Sequence, residues 1–239
     1  MKFNRQRWRM IIIIIMFILI ISLLFGNEPP EVPYSRGALI YRPYDMGFGH
    51  LAFVEEPVYD ILEAHGYEVN MKIDHVPGAN PALHLADFID LFDSEPKSGI
   101  IYFITHGSAE GDYYYVAVET YDGNKADSIC QYAVDSYREQ YKSEYPQNIN
   151  EIIVMTQGLH PEHYSVSVAE KFIEDHISDL PNSIIFAFAC YSANLYPSFQ
   201  KVGAKNLLGY AGTEPSDKAR REVLNFFYRM GGRDWLTGD

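Results

Sequence analysis

The stretch IIYFITHGSAEG occupies residues 100–111. Ile100 to Ile104 are apolar or aromatic without interruption. Such a run suits a strand covered on both faces, as strands of a parallel sheet are. The run then meets Thr105, His106 and Gly107, so a strand built for a core finishes on an imidazole followed by a glycine. A second run of the same kind, SIIFAFACYSA at 183–193, ends on Cys190.

The rest of the chain alternates around these two strands. ALIYRPYD (38–45) and YEVNMKID (67–74) read as strands. VEEPVYDILEAHG (54–66) and PALHLADFIDLFDS (81–94) read as helices, the second with Pro81 at its start. Beyond residue 111, YYYVAVETY (113–121) reads as a hairpin strand and KADSICQYAVDSYREQY (125–141) as a helix. EIIVMTQ (151–157) is the next strand, followed by a predicted helix over SVSVAEKFIEDHISDL (165–180). NLLGYAG (206–212) and SDKARREVLNFFYRMGG (216–232) close the series as strand and helix. The expected fold class is α/β, with a mostly parallel central sheet and helices on both faces. In such sheets functional residues gather beyond the carboxyl ends of the strands. His106 and Cys190 both fall there, and if their strands are neighbours the two side chains share one edge.

The N-terminus is set apart. MKFNRQRWR carries Lys2, Arg5, Arg7 and Arg9 and no acid, and Met10–Phe25 carries no charge. A cationic cluster before an apolar run predicts a signal anchor or signal peptide over 1–25. No small-x-small cleavage pattern is evident, which favours a retained anchor. The cations place that end in the cytoplasm and the domain outside. GNEPPEVPYSRG (26–37) is a Pro/Gly-rich spacer, and 38–239 is expected to be one domain. The whole chain has 32 Asp and Glu against 19 Lys and Arg. An exported part this acidic repels phosphate backbones, so nucleic acid is not an expected partner.

A thiol becomes a useful nucleophile beside a base, and an imidazole can pass its proton to a leaving group. Gly107 leaves its backbone N–H open to an oxyanion, and the N–H of Cys190 is a second donor. His106 and Cys190 are therefore the candidate catalytic pair, with Gly107 and Cys190 forming the oxyanion hole. Cys130 shares a helical face with Ile129, Ala133, Val134 and Tyr137 and reads as core. HPEH (160–163) lacks a third ligand and reads as a polar loop. GFGH (47–50) lacks the third glycine of a dinucleotide fingerprint. No metal and no cofactor is expected.

These two strand ends, in this order and context, resemble the caspase-like cysteine peptidases, closest to the gingipain-type and CHAT-domain branches. The tail FQKVGAKNLLGYAGTEPSDKARREVLNFFYRMGG is similar to theirs as well, so the likeness spans roughly Ala38 to Gly232. It implies a cysteine endopeptidase acting on polypeptides; together with the predicted anchor, the expectation is a membrane-anchored enzyme that meets the membrane through residues 10–25. Two features depart from the family pattern. The interval from His106 to Cys190 is longer than usual, and Ala189 stands where members that cleave after Arg or Lys often have Asp. Arg42 lies roughly where caspases hold an acidic P1 side chain, whereas Asp45 nearby favours the opposite charge; both stay open. Tyr191 and Tyr210 complete the expected substrate contacts, with an extended substrate pairing near Tyr210–Gly212. The alternatives are an inactive domain of the same fold that binds a protein partner, and a hydrolase of a non-peptide amide.

Overall fold

The computed structural model describes residues 35–43, 54–73, 83–93, 97–158, 162–213 and 216–231. All belong to one compact unit, 34–239. The predicted anchor at 1–25, most of the spacer, Asp45 and the 47–50 glycine loop lie outside the described residues.

The central sheet is made of β1 (Gly37–Arg42), β2 (Glu68–Ile73), β3 (Ser98–Ile104), β8 (Ile184–Phe188) and β9 (Asn206–Leu208), in the order β2-β1-β3-β8-β9. Every pairing in it is parallel. The runs at 100–104 and 184–188 are apolar throughout because β3 and β8 are interior strands with both faces covered. On one face Ile40, Tyr102, Ile104, Phe186 and Phe188 pack with Val58 and Leu62 of α1 (Glu55–Ala64) and with Val223 and Phe227 of α7 (Ser216–Gly231). Those helical residues are four apart, which puts each pair on one stripe. On the other face Leu39, Tyr41, Ile101, Phe103, Ile185 and Ala187 meet Leu85, Phe88 and Phe92 of α2 (Leu85–Asp93) and Phe199 of α6 (Tyr196–Lys201).

A second sheet, wholly antiparallel, continues that second core. Its order is β4-β5-β7-β6, from β4 (Gly107–Glu110), β5 (Tyr113–Tyr121), β6 (Ile153–Gln157) and β7 (Tyr164–Ala169). α3 (Ala126–Tyr141) buries Cys130 and Val134 in the same core. A single turn, α4 (Ile149–Ile152), precedes β6, and α5 (Glu170–His176) follows β7. Two buried bonds tie the sheets together. The Tyr41 hydroxyl donates to the Val118 carbonyl at 2.9 Å, and the Thr105 hydroxyl donates to the Ala117 carbonyl at 2.5 Å.

The structure corrects the sequence reading in two places. The helix expected over 165–180 is half strand: Tyr164–Ala169 forms β7, and the helix starts only at Glu170. The strand expected over 183–193 stops at Phe188, and the segment after Cys190 holds a 3-10 turn (Ser192–Leu195) and α6, with Pro197 in its first turn.

Candidate functional site

Strands β3 and β8 are neighbours, in a register that sets Ile104 against Phe188. The Thr105 N–H donates to the Phe188 carbonyl at 3.0 Å, so the ladder runs one step past the strands. The same register carries His106 to the level of Cys190. The backbones meet there: a Cβ on Gly107 would lie 1.8 Å from the Cys190 carbonyl oxygen and 3.2 Å from its nitrogen. Glycine at 107 is therefore a packing requirement, because the main chain of the cysteine occupies the space a side chain would need.

His106 leads directly into the second sheet. Its carbonyl accepts from the Ala117 N–H at 2.9 Å, and β4 starts with Gly107. The ring is half-buried, and burial pushes its pKa down to about 4. Positive charge on His163 adds to that shift. His163 lies in the loop before β7, but it is buried, at 8% exposure. Its neighbour His160 lies outside the described residues. Nothing in the HPEH spacing pointed to His106; only the return of the chain before β7 brings the second imidazole within electrostatic range.

Cys190 is a free, half-buried thiol at the end of β8. The chain after it is tightly held. Tyr191 takes a left-handed conformation, φ 58°, and donates its N–H to the Gly212 carbonyl at 3.0 Å. The Ala193 N–H donates to the Tyr210 carbonyl at 3.0 Å. The Ser192 hydroxyl sits within reach of the Ala187 and Ala189 carbonyls, at 2.8 and 2.7 Å, and accepts the Tyr210 N–H at 3.1 Å. Gly209 presses on the same turn: its Cβ would lie 2.6 Å from the Ser192 hydroxyl. The turn that presents the thiol is thus clasped by 209–212 on one side and abutted by Gly107 on the other.

Of the expected substrate contacts, Tyr191 and Tyr210 are half-buried beside this turn, with the Tyr210 ring against Phe188 at 5.8 Å. Arg42, at the end of β1, is 3% exposed and paired at 2.9 Å with Glu55, itself 2% exposed. Its charge is answered inside the protein by that carboxylate. The same Glu55, after burial itself, raises the Tyr102 hydroxyl well above its ordinary value.

Cys130 is fully buried, as its helical face implied. Its thiol is pushed up to about 12 by burial and by the nearby Glu119 carboxylate. Glu119 was not foreseen. It is 1% exposed and accepts from the hydroxyls of Tyr121 and Tyr137 and from the Leu85 N–H at the start of α2. Among the described residues no group of three or more His, Cys, Asp or Glu is arranged to hold a metal ion. No protein-family model matches the chain, and no curated protein matches it.

Proposed function

We propose that the chain is a cysteine endopeptidase of caspase-like type, with His106 and Cys190 as its dyad. The observation that carries this reading is the backbone contact between Gly107 and Cys190 at the carboxyl ends of adjacent parallel strands. It brings together the two stretches of backbone that carry the imidazole and the free thiol, which supports reading them as one site. Burial holds the His106 pKa down at about 4, so the resting ring is neutral near pH 7.

The His106 ring takes the Cys190 proton as the sulfur attacks the scissile carbonyl carbon. The N–H groups of Gly107 and Cys190 hold the oxyanion. The imidazolium then gives its proton to the leaving amine as the C–N bond breaks, leaving a thioester on Cys190. Water, deprotonated by His106, attacks the thioester, and the proton returns to the departing sulfur. The acyl half of the substrate lies along 210–212. The carbonyls of Tyr210 and Gly212 are bound inward, by the N–H groups of Ala193 and Tyr191, which holds this segment beside the nucleophile turn. The apolar run at 10–25 anchors the domain outside the cell membrane. Among the described residues no helix is long and apolar enough to cross one, and the run itself lies outside them.

Labelling with thiol-reactive peptide probes tests the dyad. Wild type should take one probe at Cys190, Cys190→Ala none, and His106→Ala far less. Cys130 is the internal control, since its raised pKa and burial keep it silent until the chain is unfolded. Labelling that survives Cys190→Ala in the folded protein, or wild type that ignores every peptide probe, would favour a binding module instead.

A further inference from the structure

We infer that the outer edge of β4 is a docking strand for the polypeptide on the amine side of the bond to be cut, an inference that rests on the peptidase reading above. Strand β4 starts on the residue after His106, and among the described residues it pairs with β5 alone. In an antiparallel ladder, opposed residues alternate between pairs that exchange hydrogen bonds and pairs that do not. The Ala117 N–H donates to the His106 carbonyl, so His106 and Ala117 form a bonded pair. The register then makes Ser108–Tyr115 the next bonded pair and leaves Gly107–Val116 and Ala109–Tyr114 as open ones.

Tyr114 gives an independent check. Its N–H donates to the Glu170 carboxylate at 2.8 Å, away from β4. The N–H and carbonyl of both Gly107 and Ala109 therefore point to the free edge. Gly107 is the oxyanion donor in the peptidase reading. Ala109 stands one strand repeat further on, about 6.5–7 Å away. Exposed edges are blunted by charge, proline, a bulge or shortness. Strand β4, GSAE, is short and carries Glu110 at its far end, and its Gly107–Ala109 stretch has no charge, proline or bulge.

Chemistry decides which half of the substrate lies here. The leaving nitrogen takes its proton from His106, so the residue that carries it sits on the His106 side. The chain that continues from that side is β4, while the acyl half is assigned to 210–212 in the peptidase reading. An extended peptide added to β4 is recognised through its main chain, which makes this subsite tolerant of sequence and demanding of extended backbone.

Two substrates with the same acyl half test this: one ending in a chromogenic amine, the other an internally quenched peptide extended by several residues past the bond. Extension should raise kcat/KM about tenfold, the worth of one or two main-chain hydrogen bonds. N-methylating the extended peptide one amide at a time should erase the gain at one position. Ala109→Pro, which removes an outward N–H, should bring the ratio of the two kcat/KM values toward one. Turnover of both substrates with no gain on extension, or a gain untouched by every N-methyl group, overturns the docking strand alone. A gain that survives in a folded Ala109→Pro protein does the same, and the N-methyl series decides if that variant does not fold. Turnover of neither substrate by wild type removes the peptidase reading and this inference with it.

Discussion

The Cα of Gly107 faces the carbonyl oxygen of Cys190 so closely that a Cβ there would stand 1.8 Å from it. Both partners are main chain, so neither can yield by rotating a side chain. Gly107→Ala must therefore move a strand end. We expect a loss of about 1–3 kcal/mol, the range for overpacking, read as a lower urea midpoint. Probe labelling at Cys190 should fall with it. Gly212 is the control for stability, because a Cβ there meets nothing within 4 Å. Equal urea midpoints for Gly107→Ala and wild type would refute the contact.

Acid should weaken the fold through His106. Its pKa is about 4 in the folded chain against an ordinary value near 6.5. Between those values the unfolded chain binds the proton and the folded chain does not. Stability is then independent of this group above about pH 6.5, declines as pH falls through the window, and levels off below about pH 4. His106→Asn removes that share of the slope. His176, also lowered by burial, keeps its own share in both proteins, so the difference between them isolates His106. A ring titration by NMR with its midpoint near 6.5 would contradict the buried setting.

The central sheet was legible in the sequence for a physical reason. Strands covered on both faces must be apolar throughout, and 100–104 and 184–188 are. The placing of His106 and Cys190 at one sheet edge followed, because strand ends of a parallel sheet share one edge whatever the loops between them do. The antiparallel sheet was harder to read. SVSVA at 165–169 has a two-residue alternation, yet it runs without a break into EKFIEDH, whose helical stripe dominated the reading. No side-chain cap marks the junction at Ala169. Glu119 shows a second limit. Simple alternation along YYYVAVETY gives no reason to bury a carboxylate. A register shift between Ala117 and Glu119 turns it inward, and Val118 and Glu119 are both buried. Such a shift depends on the partner strand, which pairs from more than forty residues away. Arg42 illustrates the third: its role turned on Glu55, a helix residue whose place beside it only the fold supplies.

The Arg42–Glu55 pair yields its own prediction. Both side chains are out of water, so deleting Arg42 removes the buried cation that answers Glu55. Arg42→Met should cost about 3–5 kcal/mol, whereas the double variant Arg42→Met/Glu55→Gln should recover much of that loss. Chemical denaturation of the two singles and the double measures the coupling. Additive losses would mean that the charges do not depend on one another. A strong coupling assigns Arg42 to the support of the β1 end, and then exchanging acidic for neutral P1 residues in probes should change labelling little.

Tyr191 holds the residue after the nucleophile in a left-handed conformation, φ 58°, which costs an ordinary L-residue about 1–2 kcal/mol. Three features keep it there: its own N–H bound to Gly212, its carbonyl accepting the Asn194 side-chain amide at 3.1 Å, and the Ser192 hydroxyl under the turn. Comparing Tyr191→Ala with Tyr191→Gly separates the backbone from the ring, since both remove the ring and only glycine relieves the conformation. The glycine variant should be the more stable of the two by about 1 kcal/mol, net of glycine's greater freedom in the unfolded chain. If alanine were the more stable, the left-handed turn would not be the resting state of the protein. The pair also reads the site. If the strained turn is what aims the Cys190 N–H, the glycine variant should regain stability over the alanine variant without regaining probe labelling, because a relaxed turn presents the thiol in more than one way.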